Sequence, residues 1–160
     1  MSSQPGSERE WLDRAVAAAA ENVLAGGGPF GALVVKDGEL IATGVNQVVA
    51  TLDPTAHAEV VAIRAACQRL QTFKLQGCLL VCSCEPCPLC LSSALWARMD
   101  RVIFAADRHD AAEAGFDDRV FYEVFTSPPQ QWPLTVEQIT GEGSTLPFKH
   151  WTARPDRVEY

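Results

Sequence analysis

The sequence is short of basic charge. Thirteen Lys plus Arg stand against twenty Asp plus Glu in 160 residues, a formal net charge of −7. Binding to a nucleic-acid backbone needs clustered cations that displace counterions, so this balance argues against a polynucleotide partner. Long apolar runs are missing too. The longest near the N-terminus, residues 15–20, falls far short of the roughly 20 residues that cross a bilayer. Residues 1–10 lack the basic, apolar, small-residue order of a secretory leader. The expectation is a soluble, cytoplasmic protein with no membrane partner. Internal repeats, low-complexity blocks and interdomain linkers are also absent, and a hydrophobic share of 48% excludes disorder. A single domain over residues 1–160 is expected, since a chain of about this length buries roughly 68–70% of its unfolded surface without staples.

Cysteine is what the chain has in one place. Of six, four fall within nine positions: Cys82, Cys84, Cys87 and Cys90. In a chain with no export signal, such crowding points to a metal site or redox chemistry before disulfides.

Hydrophobic periodicity arranges the rest. Ser7 and Glu10 form a capping-box pair, and Leu12, Ala15, Val16, Ala19 and Val23 recur at helical spacing until Gly26-Gly27-Gly28-Pro29 stops them. Residues 30–35 and 39–45 are strand-length apolar runs joined by Lys36-Asp37-Gly38, a hairpin signal. Residues 46–52 are loop-like. Asp53-Pro54 then offers an N-cap with Pro at the first helical position, ahead of Ala56, Val60, Ile63, Cys67 and Leu70. A buried strand over 78–82, a helix over 88–96 and a strand over 101–105 make a crossover unit whose strands pair in parallel. The fold class expected is α/β, a mixed sheet covered by helices on both faces. Beyond a polar 107–113 stretch, a short helix over 118–125 and a final alternating strand over 134–139 complete a five-stranded sheet. Residues 141–144 read as a flexible spacer, yet Leu146, Phe148, Trp151 and Tyr160 make the tail too apolar to stay solvated.

His57 and Glu59 lie in the first turn of the expected second helix, and Cys87 and Cys90 stand at i and i+3 where the third begins. Thiolates at that spacing share one helical face, and a helix N-terminus lowers thiol pKa, which favours metal ligation. One nitrogen and two sulfurs make a tetrahedral zinc site whose open fourth position holds and acidifies a water. Glu59 can lie beside that water and carry its proton without ligating the metal. Pro86 restricts Glu85 to extended backbone and so fixes the turn presenting Cys87. The competing reading is a closed site of Cys82, Cys84, Cys87 and Cys90. Against it, Cys82 falls in the apolar strand pattern, where a free Cys acts as a small buried hydrophobe, the reading also given to Cys67 and Cys78.

His57-Ala58-Glu59 followed by Pro86-Cys87-Pro88-Leu89-Cys90 resembles the H-x-E…P-C-x-x-C signature of the zinc-dependent nucleobase and nucleoside deaminases. The resemblance implies a three-layer α/β/α sandwich of the cytidine deaminase-like type, one Zn²⁺ per subunit held by His57, Cys87 and Cys90, and hydrolytic loss of ammonia from a ring carbon. Gly28-Pro29-Phe30-Gly31-Ala32, Asp53 through Glu59, Ser83 through Pro88 and Ala111 through Asp118 extend it over nearly the whole chain. The Gly115-Phe116-Asp117-Asp118 stretch is similar to guanine and guanosine deaminases in particular.

That resemblance implies conversion of guanine to xanthine and ammonia, with Glu59 and Asp118 as the catalytic carboxyls. It implies a purine pocket drawn from Asn46, Phe30, Ala58, Trp96, Phe116 and Tyr160. It also implies a homodimer in which residues 141–160 cross to the partner and the terminal aromatic closes the partner's site. Plainer roles stand beside these: core packing for Phe30 and Trp96, a turn for Asn46, a solvated acidic turn around Asp118, and a tail packed on its own domain. Leu52 and Val48-Val49 make the loop before Asp53 more apolar than the resemblance suggests, which bears on whether a base or a nucleoside is accommodated. The alternatives are deaminases of guanosine, cytosine, cytidine or tRNA adenosine, and, from a different class, a non-catalytic zinc-stabilised module.

Overall fold

The computed structural model describes residues 7–160, which divide into two compact units, one ending at Arg119 and one running from Val120 to Tyr160.

In the first unit, α1 (Glu8–Leu24) opens on Ser7, whose hydroxyl accepts from Glu10 N (3.2 Å) while the Glu10 carboxylate accepts from Ser7 N (2.6 Å). This is the expected capping box. Trp11, Ala15 and Ala19, four residues apart, are its buried face. β1 (Gly31–Lys36) and β2 (Glu39–Val45) pair antiparallel through a turn in which Asp37 and Gly38 both have positive φ, 50° and 77°. Two such residues are what a twist-matched two-residue hairpin needs, and Asp-Gly tolerates it.

The stretch expected as a loop contains a single helical turn, α2 (Val48–Thr51). α3 (Ala58–Leu70) begins later than Pro54. Thr55 N and Thr55 Oγ1 both donate to Asp53 Oδ1 (2.8 and 2.7 Å), so Asp53 closes a local Asx turn and does not cap the helix. β3 (Cys78–Cys84) pairs antiparallel with β1 and parallel with β4 (Arg101–Ala106), and α4 (Pro88–Trp96) forms the crossover between those parallel strands. The sheet order is β2-β1-β3-β4. α5 (Arg108–Glu113), capped by Asp107, and α6 (Arg119–Val124) follow.

Helices cover both faces of this sheet. Ala32 and Val34 of β1 pack with Ala58, Ala62 and Ala66 of α3 and Ala94 of α4, whereas Leu33 and Val35 pack with Trp11 and Ala15 of α1. A central strand buried on both sides explains the unbroken apolar run of β1. Gly44 sets the spacing on the α3 side: a Cβ there would lie 2.1 Å from Ala58 O and 2.5 Å from Ala62 N. Helix backbone therefore rests directly on the strand, and the start of α3 is held against β2.

The sheet has four strands, not the expected five. Residues 134–139 form no strand, and Leu134, Val136 and Ile139 are 69%, 54% and 91% exposed. Alternation describes a surface suited to half burial, but a strand forms only where a partner supplies the ladder hydrogen bonds. Pro128, Pro129 and Pro133 also remove amide donors on the approach. The second unit holds all of α6 after Arg119, a 3₁₀ turn (Pro129–Gln131) and α7 (Leu146–Ala153), with ring contacts between Phe125 and Trp132 (5.8 Å) and between Trp151 and Tyr160 (6.4 Å). Among the described residues no helix is long and apolar enough to cross a membrane.

Candidate active site

Two helix N-termini meet in the first unit. His57 is the N-cap of α3 and Cys87 the N-cap of α4, both with extended backbone (φ −65°, ψ 152° and φ −68°, ψ 169°). Neither side chain caps its own helix. Pro88 fixes the first helical position of α4, and Cys90 follows one turn on, on the face of Cys87. The three donor atoms form a triangle: Cys87 Sγ to His57 Nδ1 3.5 Å, Cys90 Sγ to His57 Nδ1 3.4 Å, and Cys87 Sγ to Cys90 Sγ 3.6 Å. One face of a zinc tetrahedron with Zn–S near 2.3 Å and Zn–N near 2.1 Å has edges of about 3.6–3.8 Å. The donor set fits zinc in chemistry and in span, and it is His57 Nδ1 that faces the sulfurs.

Electrostatics agree. The hydrogen bond from Cys90, aided by His57, holds the Cys87 thiol down at about 4, and the same bond together with burial pushes Cys90 up. A dication at this point would favour both sulfurs as thiolates. Contact with Cys87 raises His57 above its usual value. Cys82 and Cys84 stand outside this cluster. Cys82 is 1% exposed within the core, and Cys84, pushed to about 11 by burial, directs its thiol to Asp107 O (3.5 Å). The closed four-thiolate arrangement is not the one formed.

Glu59, two residues from His57, is only 6% exposed, and burial raises its carboxyl above the ordinary range. The neighbouring aspartates differ sharply. Asp117 is paired with Arg119 (both contacts 2.7 Å) and held low by it. Asp118 is raised by burial and by the charge of Cys87, and its Oδ1 is buried with no hydrogen-bond partner. An orphaned buried oxygen beside a thiolate is a proton-carrying group open to a ligand.

Of the remaining expected residues, Phe30 and Phe116 meet edge to face at 5.0 Å. Asn46 donates its backbone N–H to Phe30 O (3.1 Å), and its Oδ1 accepts from Val48 N (3.2 Å). An N–H facing the side chain fixes which end is oxygen, so the amide NH₂ points away from Val48. Ala58 is fully buried at the first position of α3. Trp96 closes α4, at the end opposite the thiols, 62% exposed with the Arg98 guanidinium 5.8 Å from its ring centre. Tyr160, in the second unit, is 68% exposed and edge-on to Trp151. In the loop before Asp53, Leu52 is 89% and Val49 75% exposed, so the apolar loop noted in the sequence is a solvent-facing surface.

One contributor escaped the sequence reading. Arg108 makes a two-pronged ion pair with Glu85 (Nε to Oε2 3.1 Å, Nη2 to Oε1 2.6 Å), and its backbone N–H donates to the same carboxylate (3.0 Å). The start of α5 is thereby fastened to the turn that presents Cys87. Arg108 sits in a stretch distinguished only by polarity, and its partner is 23 residues away.

Residues 6–106 match the family model of the cytidine and deoxycytidylate deaminase zinc-binding region. The chain belongs to this family of zinc-binding deaminases and has its cytidine deaminase-like α/β fold. Within that class the similarity extends well past the matched region. The chain is 48% identical to the guanine deaminase of Bacillus subtilis (strain 168) over 151 residues, 94% of this chain and 97% of that one. An X-ray structure of guanine deaminase from Bacillus subtilis superposes with a TM-score of 0.94 at 47% identity, covering 97% of this chain and 99% of that one. A guanine deaminase from Nitrosomonas europaea superposes with a TM-score of 0.67 at 33% identity, covering 72% of this chain and 66% of that one.

Proposed function

We propose that this chain catalyses the hydrolytic deamination of guanine to xanthine and ammonia, with Glu59 and Asp118 as its proton carriers. The observation that carries the reading is the meeting of the His57, Cys87 and Cys90 triangle with two raised carboxyls, Glu59 and Asp118, the latter supplied by the Gly115 to Asp118 stretch. Similarity to a guanine deaminase over 94% of the chain supports the choice of base.

His57 Nδ1, Cys87 Sγ and Cys90 Sγ would hold a zinc ion, which would supply Lewis acidity and bring the pKa of a water towards neutrality. Glu59 would take a proton from the attacking water and pass it to the ring nitrogen beside C2. Its raised pKa makes it a better proton acceptor than an ordinary carboxylate, as the first half of the transfer requires. The water oxygen bonds to C2; Asp118, with its unpartnered Oδ1 available for the contact, would hand a proton to the amine as the C2–N bond breaks and recover one from the C2 hydroxyl as the carbonyl forms, so the two water protons end on the ring nitrogen and on ammonia. The Phe30 and Phe116 rings wall the base, and the free NH₂ of Asn46 is a donor for a purine acceptor.

The tail adds the rest of the pocket. Its apolar side chains are exposed within the second unit, Leu146 49%, Phe148 71% and Tyr160 68%. Two copies of the whole chain, 1–160, form a cytoplasmic homodimer with one zinc each, residues 141–160 crossing to the partner and Tyr160 and Trp96 completing the wall. The test is a panel of guanine, guanosine, adenine, cytosine and cytidine followed for ammonia release. Guanine is expected to give the highest kcat/KM. No turnover of guanine alongside turnover of another member would overturn the assignment, and guanosine is the one the exposed loop at Val49 and Leu52 favours next.

A further inference from the structure

Asn22 lies in the last turn of α1, half-buried and outside the metal centre. Its Nδ2 donates to Gly28 O (2.8 Å) and to Asn46 O (3.0 Å), while its own carbonyl accepts from Gly27 N (2.8 Å). The two carbonyls it holds belong to the two loops that carry Phe30 and Asn46. Those loops also bond to each other: Gly28 O accepts from Phe30 N (2.9 Å), and Phe30 O accepts from Asn46 N (3.1 Å). The result is a closed ring of hydrogen bonds running from Asn22 to Gly28, Phe30, Asn46 and back to Asn22.

The ring is tight as well as closed. A Cβ on Gly27 would lie 2.4 Å from Asn22 Nδ2, and one on Gly28 would lie 2.9 Å from Asn46 Oδ1. Only an amide at position 22 serves both loops. Two N–H bonds leave one planar nitrogen and meet two carbonyls, whereas Asp would set carboxylate oxygens against those carbonyls, and Ala would leave them unpaired.

We propose that Asn22 is a positioning residue for the purine: it touches no reacting atom but fixes the spacing between the Phe30 ring and the Asn46 amide. This rests on the guanine-deaminating reading, in which Phe30 and Asn46 contact the base. Losing the tie weakens binding of substrate and transition state alike, so KM rises while kcat holds. A residue needed only for stability would leave KM unmoved.

The test compares wild type with Asn22→Ala and Asn22→Asp, each zinc-loaded, for guanine kinetics, zinc content and amide hydrogen exchange at Asn46. The expected result is a KM about tenfold higher, kcat within about threefold, one zinc per chain, and faster exchange of the Asn46 N–H. Asn22→Asp keeps the side-chain volume and carries the test should the Ala variant fail to fold. KM within about twofold of wild type in both variants, or a fall in kcat at constant KM, overturns the positioning role. If wild type leaves guanine untouched, the functional reading fails, and exchange at Asn46 then decides the tie: an unchanged rate overturns it and a faster one supports it.

Discussion

Two adjacent aspartates with the same chemistry occupy opposite electrostatic situations. Asp117 spends its charge on Arg119 in solvent, while Asp118 faces a thiolate with one oxygen buried and unpartnered. Asp118→Asn is therefore expected to lower guanine turnover by about 100-fold or more at unchanged zinc content, the scale of a lost proton carrier. Asp117→Asn should stay within about threefold, since an exposed ion pair contributes little. Equal losses in the two variants, measured by steady-state kinetics, would exchange or remove the assigned role. At this scale the ligands were legible because His57-x-Glu59 and Cys87-x-x-Cys90 are short spacings with chemical meaning. Asn22 and Arg108 were not, because the contact of Asn22 with Asn46 and that of Arg108 with Glu85 span 24 and 23 residues and leave no local pattern.

Helix starts do the aiming. His57 and Cys87 occupy equivalent N-cap positions on α3 and α4, so two separate chain reversals bring nitrogen and sulfur to one point. Pro88 announced the second of these correctly. Asp53-Pro54 did not announce the first, because the carboxylate of Asp53 is used by Thr55 and the helix waits until Ala58. Local capping signals compete, and only the folded chain shows which amide wins.

The Glu85 and Arg108 pair belongs to the same scale, joining the turn before Cys87 to α5. Arg108 holds the Glu85 carboxyl below its ordinary value of 4.5. A lowered acid stabilises the fold above its unfolded pKa and stops doing so as pH falls through the folded one. Arg108→Ala should thus lower stability by about 1–2 kcal/mol at neutral pH, with the gap to wild type closing well below the ordinary carboxyl value. Denaturant unfolding of both proteins across pH checks this, and a gap independent of pH would contradict it.

The unbroken apolar run of β1, the crossover through α4 and the helices on both faces were all readable, because hydrophobic pattern and turn chemistry encode them locally. The missing fifth strand was not. Residues 134–139 have the alternation of a strand but form none, and alternation in a segment does not say whether a partner strand pairs with it. For the whole molecule, the proposed dimer with an exchanged tail predicts that a chain lacking residues 157–160 still sediments as a dimer and keeps its zinc, yet loses turnover by about tenfold or more through a site left open to water. Undiminished turnover would remove the closing role of Tyr160.

Zinc content and xanthine formation from guanine, measured side by side on wild type and Glu59→Gln, test the central claim most directly. The account predicts one zinc per chain in both proteins, with guanine consumed by wild type and turnover in the variant lower by about 100- to 10,000-fold. Near-wild-type xanthine formation by a zinc-replete Glu59→Gln protein would contradict it.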